Sequence, residues 1–79
     1  MRIISQDETI DVPYEHTTLI RVATEIYLSS IKLRDTLIAK YSTEEKAVKA
    51  MEMCRRYYDN RYSVTEPKIF QFPADEEVE

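Results

Sequence analysis

The sequence contains no glycine among its 79 residues, and this absence excludes a class of functional sites. Phosphate-binding loops of the Walker and dinucleotide-binding types need glycine, because their backbone adopts left-handed conformations and approaches the phosphate closely. Nucleotide-hydrolysing and dinucleotide-dependent enzymes of those types are therefore excluded. Turns in this chain must use Asp, Asn, Ser, Lys and Pro instead.

Residues that bind metals or form disulfides are almost as scarce, with one cysteine, Cys54, and one histidine, His16. A lone cysteine forms no intramolecular disulfide, and the two residues together cannot build a four-ligand metal site, so we expect no cofactor. The start of the chain lacks the apolar core of a signal peptide, and no apolar run approaches the ~18 residues of a membrane span. These absences favour an unsecreted protein that stays in the cytoplasm and binds no membrane.

The net charge is −4, from 11 basic and 15 acidic residues. This sign disfavours binding to nucleic acid, because affinity for nucleic acid comes mainly from neutralising phosphates. Four of the acidic residues lie among residues 75–79, and charged runs at termini are usually solvated. We therefore expect one small domain over residues 1–73 and a frayed acidic tail over residues 74–79.

Alternating and β-branched patterns predict several short strands, with polar turns between them. The predicted turns include Asp7-Glu8 and Ala23-Thr24, and Pro13 and Pro73 end the first hairpin and the last strand. The middle of the chain is expected to form an antiparallel meander within one sheet. The predicted strands cover residues 3–6, 9–12, 17–22, 25–31, 36–41 and 67–72.

At Ser42 the hydrophobic period changes to that of a helix. Ser42 and Glu45 have the spacing of a capping box, in which each side chain accepts from the other residue's backbone N–H. One apolar stripe follows, and the helix is expected to fade near Asp59-Asn60. The sequence therefore predicts an α+β fold, an antiparallel meander of four to six strands with one amphipathic helix on one face. The stripe consists of Ala47, Ala50, Met51, Cys54 and Tyr58.

The predicted sheet carries apolar side chains on both of its faces. Ile26 and Leu28 point to one side of their strand, and Tyr27 and Ile31 point to the other. A helix of ~16 residues is ~24 Å long and ~10 Å wide, so it covers only one face of such a sheet. A second copy or a target protein is expected on the other face, although scattered exposed apolar residues are also normal on small proteins.

Neither His16 nor Cys54 has the surroundings that catalysis requires. His16 stands beside Glu15, but acid–base chemistry also needs a pocket and a further group, so a loop histidine without function is the simpler interpretation. Cys54 lies on the apolar stripe, where burial raises the pKa of a thiol. We therefore do not expect an enzyme.

A cluster of arginines and tyrosines spans residues 55–62. Guanidinium groups bind phosphates and phenol rings stack on bases, so Arg55, Arg56, Tyr57 and Arg61 are candidates for binding a small anionic ligand. Tyrosine and arginine are also enriched in protein interfaces, and Arg55 and Arg56 also suit the negative end of the helix dipole. Both interpretations stay open on this evidence.

Three stretches resemble a group of small proteins encoded by phages and integrated elements of low-GC Gram-positive bacteria. They are IISQDETIDVPYE, beginning at Ile3, YSTEEKAVKAMEM, beginning at Tyr41, and FQFPADEEV, beginning at Phe70. The group has no assigned activity or site residues, so the resemblance implies a biological context and no mechanism. Its members usually have glycine where this chain has Glu8. Glu8 must therefore adopt a left-handed conformation, or the turn must change type.

This resemblance implies a non-enzymatic interaction protein in the cytoplasm of the bacterial host, which self-associates and inhibits a host protein. Host defence systems are among the candidate targets. The acidic tail would steer it toward a basic target. The alternative is an oligomeric binder that sequesters a nucleotide-type signal between copies, using Arg55, Arg56, Tyr57 and Arg61. The candidate interface of the leading hypothesis consists of Tyr27, Ile31, Tyr57, Arg61 and Tyr62.

Overall fold

The computed structural model describes residues 1–31, 33–59 and 69–78, and this part of the chain has an α+β fold. The α+β class agrees with the prediction from the sequence. In the structure, one helix packs against two small sheets. Short 3₁₀ turns at Tyr14–His16 and Asp75–Glu77 complete the described elements. The strands and the helix are β1 (Arg2–Ile4), β2 (Asp11–Pro13), β3 (Thr17–Val22), β4 (Glu25–Ser30), β5 (Thr36–Lys40), α1 (Glu44–Asp59) and β6 (Ile69–Gln71).

The meander predicted for the middle of the chain is present as the antiparallel sheet β3-β4-β5. Strand β3 has the predicted limits, and Ala23-Thr24 is the two-residue loop that joins it to β4. Ala23 has a φ of 54°, in the left-handed region that favours glycine. A chain without glycine therefore makes this turn at a conformational cost.

The prediction of a single sheet is wrong, because β1, β2 and β6 form a second, three-stranded sheet in the order β2-β1-β6. β1 pairs antiparallel with β2 and parallel with β6. A parallel partner requires a long crossover, and the meander and the helix supply it here. The local pattern of the strands carries no information about this distant pairing.

A β-bulge in β5 changes which of its side chains face the core. Tyr27 pairs with Leu37 and Ile26 pairs with Ala39, which leaves Ile38 without an opposite residue. Leu37 and Ala39, which would share a face in a regular strand, therefore lie on opposite faces. Ile38 and Ala39 are both buried, whereas Leu37 points outward.

The helix buries the predicted stripe, with Ala47, Ala50 and Cys54 fully enclosed. Its cap lies one residue later than predicted: the Lys46 N–H donates to Thr43 Oγ1 at 3.2 Å. The predicted Ser42–Glu45 capping box is therefore wrong, because Ser42 lies outside the helix.

The acidic segment after Pro73 is part of the fold over residues 74–78, so the prediction of a frayed tail is wrong there. The Ser42 N–H donates to the Asp75 carboxylate at 2.6 Å, and the Lys46 ammonium lies 3.4 Å from the same group. Val78 is only 3% exposed and packs in the core. The acidic composition of this segment predicts that it is solvated. The buried side chain of Val78 and the hydrogen bond to Asp75 instead hold it against the start of the helix.

The first turn forms without a glycine. The Glu8 N–H donates to the Ser5 carbonyl at 3.0 Å, and Glu8 has a φ of 67°. Of the two possibilities left by the sequence, the left-handed conformation is therefore the one adopted. The Asp7 carboxylate supports the turn by accepting from the Thr9 and Ser5 hydroxyls, each at 2.7 Å.

Candidate functional site

The sheet β3-β4-β5 has one face in the core and one face turned away from it. Ile26 and Leu28 are fully buried on the core side, where α1 packs. On the other side Tyr27 lies directly between Ile20 of β3 and Leu37 of β5. Ile20 is 44% exposed and Leu37 is 45% exposed. The alternation of β3 and β4 around their short turn predicts the Ile20–Tyr27 pairing. The pairing of Tyr27 with Leu37 is not predictable in this way, because the bulge shifts the register of β5.

We call the side chains of Ile20, Val22, Tyr27 and Leu37 the outer face. Val22 is 55% exposed and follows Ile20 on the same side of β3. The Tyr27 hydroxyl donates to Glu25 Oε1 at 2.8 Å, and this hydrogen bond raises the pKa of the phenol. The outer face thus combines branched aliphatic groups with an anchored aromatic ring, a composition suited to a protein interface.

Ile31 lies just beyond β4 and is 97% exposed. It lines an apolar groove of about 440 Å³ together with residues of β2, of the first 3₁₀ turn and of the following loop. His16, at the end of that 3₁₀ turn, is also at this groove. The remaining lining residues are Val12, Pro13, Thr17, Ser30 and Leu33.

The candidate ligand-binding residues near the end of α1, Arg55, Arg56 and Tyr57, point in different directions. The Tyr57 ring packs 5.7 Å from the Phe70 ring, and Arg56 forms an ion pair with Glu52 at 3.6 Å. Arg55 lines a separate cavity. Consecutive helical residues diverge by ~100°, so the structure does not bring Arg55, Arg56 and Tyr57 to one ligand within a single chain.

The residues of the candidate interface also do not come together, because Tyr27 and Tyr57 lie on opposite sides of the sheet. Tyr27 is on the outer face, whereas Tyr57 is on the helix, which packs against the opposite side of the sheet. Arg61 and Tyr62, the other candidates after the helix, lie outside the described residues. Tyr27 therefore belongs with Ile20 and Leu37 rather than with Tyr57.

A cavity of about 390 Å³ lies between the first 3₁₀ turn and α1. The Tyr14 and Tyr58 rings meet there at 4.7 Å, and Arg55 is at the same cavity. Sequence reasoning assigned Tyr58 to the core and gave Tyr14 no role, because no local signal connects two residues so far apart. Other lining residues are Glu15, Thr17, Leu19, Met51 and Cys54.

Three ionisable groups at this cavity have shifted pKa values, and burial raises the pKa of the Tyr14 phenol. Burial raises the pKa of the Cys54 thiol to about 12, so this thiol is a poor nucleophile at neutral pH. The Glu15 carboxylate accepts from the Met1 ammonium at 2.8 Å, which lowers the pKa of Glu15. The arrangement offers aromatic walls and one guanidinium for binding, and no activated nucleophile among these residues.

Within residues 1–31, 33–59 and 69–78, no helix is long and apolar enough to cross a membrane. The same residues contain no group of three or more His, Cys, Asp or Glu side chains placed to hold a metal ion. The chain matches no protein-family model, no curated protein and no solved structure.

Proposed function

We propose that this chain is a non-enzymatic interaction protein of phage origin that binds and inhibits a bacterial host protein and also associates with itself. The observation that carries the proposal is the outer face, where Ile20 and Leu37 flank Tyr27 on the side of the sheet opposite the helix. Phage origin rests on the resemblance of three stretches of the sequence to small phage proteins.

The energetics of the outer face support a docking role. Ile20, Val22 and Leu37 each keep about half of their side-chain surface in water. Full burial of such a side chain contributes about 1.5–3 kcal/mol, so completing the burial contributes about 1 kcal/mol for each of them. The Tyr27 ring adds a rigid aromatic anchor whose hydroxyl already has its hydrogen bond to Glu25.

Binding rather than catalysis is also favoured by the cavity beside α1. Its thiol, Cys54, keeps its proton at neutral pH, and its carboxylate, Glu15, is held by the ammonium of Met1. These contacts stabilise the fold and leave neither group poised for proton transfer or nucleophilic attack.

The proposal is tested by affinity purification from a low-GC Gram-positive bacterium, with the tagged chain as bait. We expect one host protein to bind the wild type and to be lost with Tyr27→Asp, because a carboxylate on the outer face would have to be desolvated. Val48→Asp is the matched control, since Val48 is exposed on the helix and away from the outer face. Circular dichroism checks that both variants fold.

The retained protein must then bind the purified wild type directly, and its own activity must fall when the wild type is added. Equal retention by the wild type and by Tyr27→Asp would reject the outer face as the binding surface. Direct binding without any change in the activity of the host protein would reject inhibition.

A second candidate function is the binding of a small anionic ligand of the nucleotide type. One observation favours it: Arg55 lies at a cavity whose walls include the rings of Tyr14 and Tyr58, which contact each other at a tilt of 46°. A ligand that binds only the folded state raises the melting temperature by mass action. We expect this rise with a cyclic or ADP-ribose-type nucleotide, and its loss in Arg55→Gln. No shift across such a panel at millimolar concentration would reject this candidate.

A further inference from the structure

The direction of the backbone groups in β4 follows from a single hydrogen bond. The Tyr41 N–H donates to the Thr24 carbonyl at 2.9 Å, so the backbone of Thr24 faces β5. In an antiparallel sheet the N–H and C=O of one residue point to the same side, and successive residues alternate. Ile26 therefore also faces β5, while Glu25 and Tyr27 face β3.

The same alternation determines which groups of β3 lie on its outer edge. Val22 pairs with Glu25 and Ile20 pairs with Tyr27, so Val22 and Ile20 direct their backbone groups toward β4. Leu19 and Arg21, which alternate with them, direct their N–H and C=O groups away from the sheet. Among the described residues, no strand pairs with this edge of β3, and the one bond shown there is at its start, where the Thr17 N–H donates to the Tyr14 carbonyl.

The opposite edge of the sheet is closed by a residue of the first turn. The Gln6 N–H donates to the Ile38 carbonyl at 2.8 Å, and Gln6 Oε1 accepts from the Lys40 N–H at 3.0 Å. In the part of the chain that the structure describes, β3 is thus the one open edge of the sheet β3-β4-β5. An open edge strand is a template for pairing with another strand.

We propose that two copies of this chain pair through β3, antiparallel, about a two-fold axis at Ile20. The proposal rests on the self-association included in the proposed function, and it specifies the surface and the geometry. Leu19 of each copy then lies opposite Arg21 of the other, and their outward groups form backbone hydrogen bonds at both positions. The product is a continuous six-stranded sheet.

The side chains favour this register over its neighbours. Only pairings of residues with the same backbone direction are allowed, so the axis must lie at a residue. An axis at Arg21 would place like charges opposite each other, and an axis at Leu19 would set Ile20 against Thr18. The axis at Ile20 packs Ile20 against its own copy and joins the two outer faces into one apolar row that includes Tyr27.

Charge and closure also favour a second copy as the occupant of this edge. Arg21 is the one charged side chain of β3, and Glu44 of the same chain neutralises it at 3.1 Å on the core side. With the axis at Ile20, Arg21 faces Leu19 of the second copy, so no like charges of the two β3 strands lie opposite each other. Because a two-fold axis uses the β3 edge of both copies, pairing through this edge closes as a dimer and does not extend into a fibre.

Cysteine cross-linking tests the register directly. Residues opposite each other at a pair without ladder hydrogen bonds have Cα atoms ~4.5 Å apart, within the ~4.4–6.8 Å range of a disulfide. We therefore expect Ile20→Cys to form a covalent dimer on mild oxidation, seen as a doubled mass in non-reducing electrophoresis. Leu37→Cys is the matched control, because Leu37 has the same exposure as Ile20 on the opposite strand of the sheet. The native Cys54 is buried and does not compete.

Light scattering completes the test with the unmodified chain. We expect the wild type and Leu37→Lys to have twice the 9.4 kDa mass of the chain, and Ile20→Lys to return to the mass of one chain. A wild type that stays at the mass of one chain in concentrated solution would overturn the dimer. A covalent dimer of Leu37→Cys but not of Ile20→Cys would overturn the β3 pairing.

These results are separable from those on the host protein. Loss of target binding in Tyr27→Asp together with a single-chain wild type supports the host interaction and rejects the dimer. A β3-paired dimer that retains no host protein supports the dimer and rejects the target. Each proposal can therefore fail by itself.

Discussion

Replacing Glu8 with glycine should stabilise the protein, which is unusual for a substitution that removes a side chain. Glu8 has a φ of 67°, and a left-handed conformation costs a residue with a Cβ about 1–2 kcal/mol. Glycine removes that cost but loses about 0.5–1 kcal/mol because its unfolded chain is more flexible. The Glu8 side chain is exposed and makes no hydrogen bond or ion pair with the described residues, so no contact is sacrificed.

At the middle of these two ranges the net gain is about 0.75 kcal/mol, which raises the melting temperature of a domain of this size by about 3–6 °C. Thermal unfolding followed by circular dichroism, together with urea unfolding at room temperature, measures both quantities. Glu45→Gly is the matched control: it makes the same chemical change at an exposed helical position, where glycine costs about 1 kcal/mol. An unchanged or lower stability of Glu8→Gly would refute the assignment of left-handed strain to this turn.

Three further predictions concern the C-terminal segment and the buried thiol. Val78→Ala should destabilise the fold by about 2 kcal/mol in urea unfolding, because it removes two buried methyl groups, whereas Val48→Ala on the exposed helix surface should change stability by less than about 0.5 kcal/mol. The Ser42 N–H lowers the pKa of Asp75 below its ordinary value of 3.8. The stabilisation from this carboxylate is present above that value and is lost as the pH falls through the lowered pKa, so Asp75→Asn should lose less stability than the wild type between neutral and acid pH. Cys54 should react with a thiol reagent at neutral pH only when urea unfolds the chain; fast labelling of the native protein would contradict its burial.

The helix and the meander were predictable because their signals are local. The period of the stripe through Ala47, Ala50 and Cys54 is that of a helix, and the β-branched run from Thr17 to Val22 is that of a strand. The sequence also predicted the two-residue turn at Ala23-Thr24. The cap moved by one residue because Ser42 and Thr43 are equally suitable and only tertiary contacts distinguish them: the Ser42 N–H is used by Asp75.

The errors in the pairing of the strands and in the C-terminal segment concern contacts between residues that are distant in sequence. The parallel pairing of β1 with β6 depends on the path of the chain after the helix, and no pattern within either strand predicts it. The bulge at Ile38 appears only once β5 is aligned with β4. Val78 is one apolar residue among acidic ones. Its burial is determined by the core residues that it packs against, and its neighbours in sequence do not predict it.

The candidate site was predictable in part, for the same reason. Strand alternation correctly placed Tyr27 opposite Ile26 and Leu28, which leads to the outer face. The grouping of Arg55, Arg56 and Tyr57 was based on adjacency in sequence, and adjacent helical residues point in different directions. The open edge of β3 could not be recognised from sequence, because it depends on Gln6 closing the edge of β5.

Hydrogen exchange of the β3 amides, followed by NMR, tests the paired edge most directly. The amides of Ile20 and Val22 bond within the sheet and should exchange slowly at every concentration. The amides of Leu19 and Arg21 should exchange slowly in concentrated solution, where the second copy binds them, and rapidly after dilution. Unprotected exchange of Leu19 and Arg21 in concentrated solution, with Ile20 and Val22 still slow, would contradict the pairing of two copies through β3.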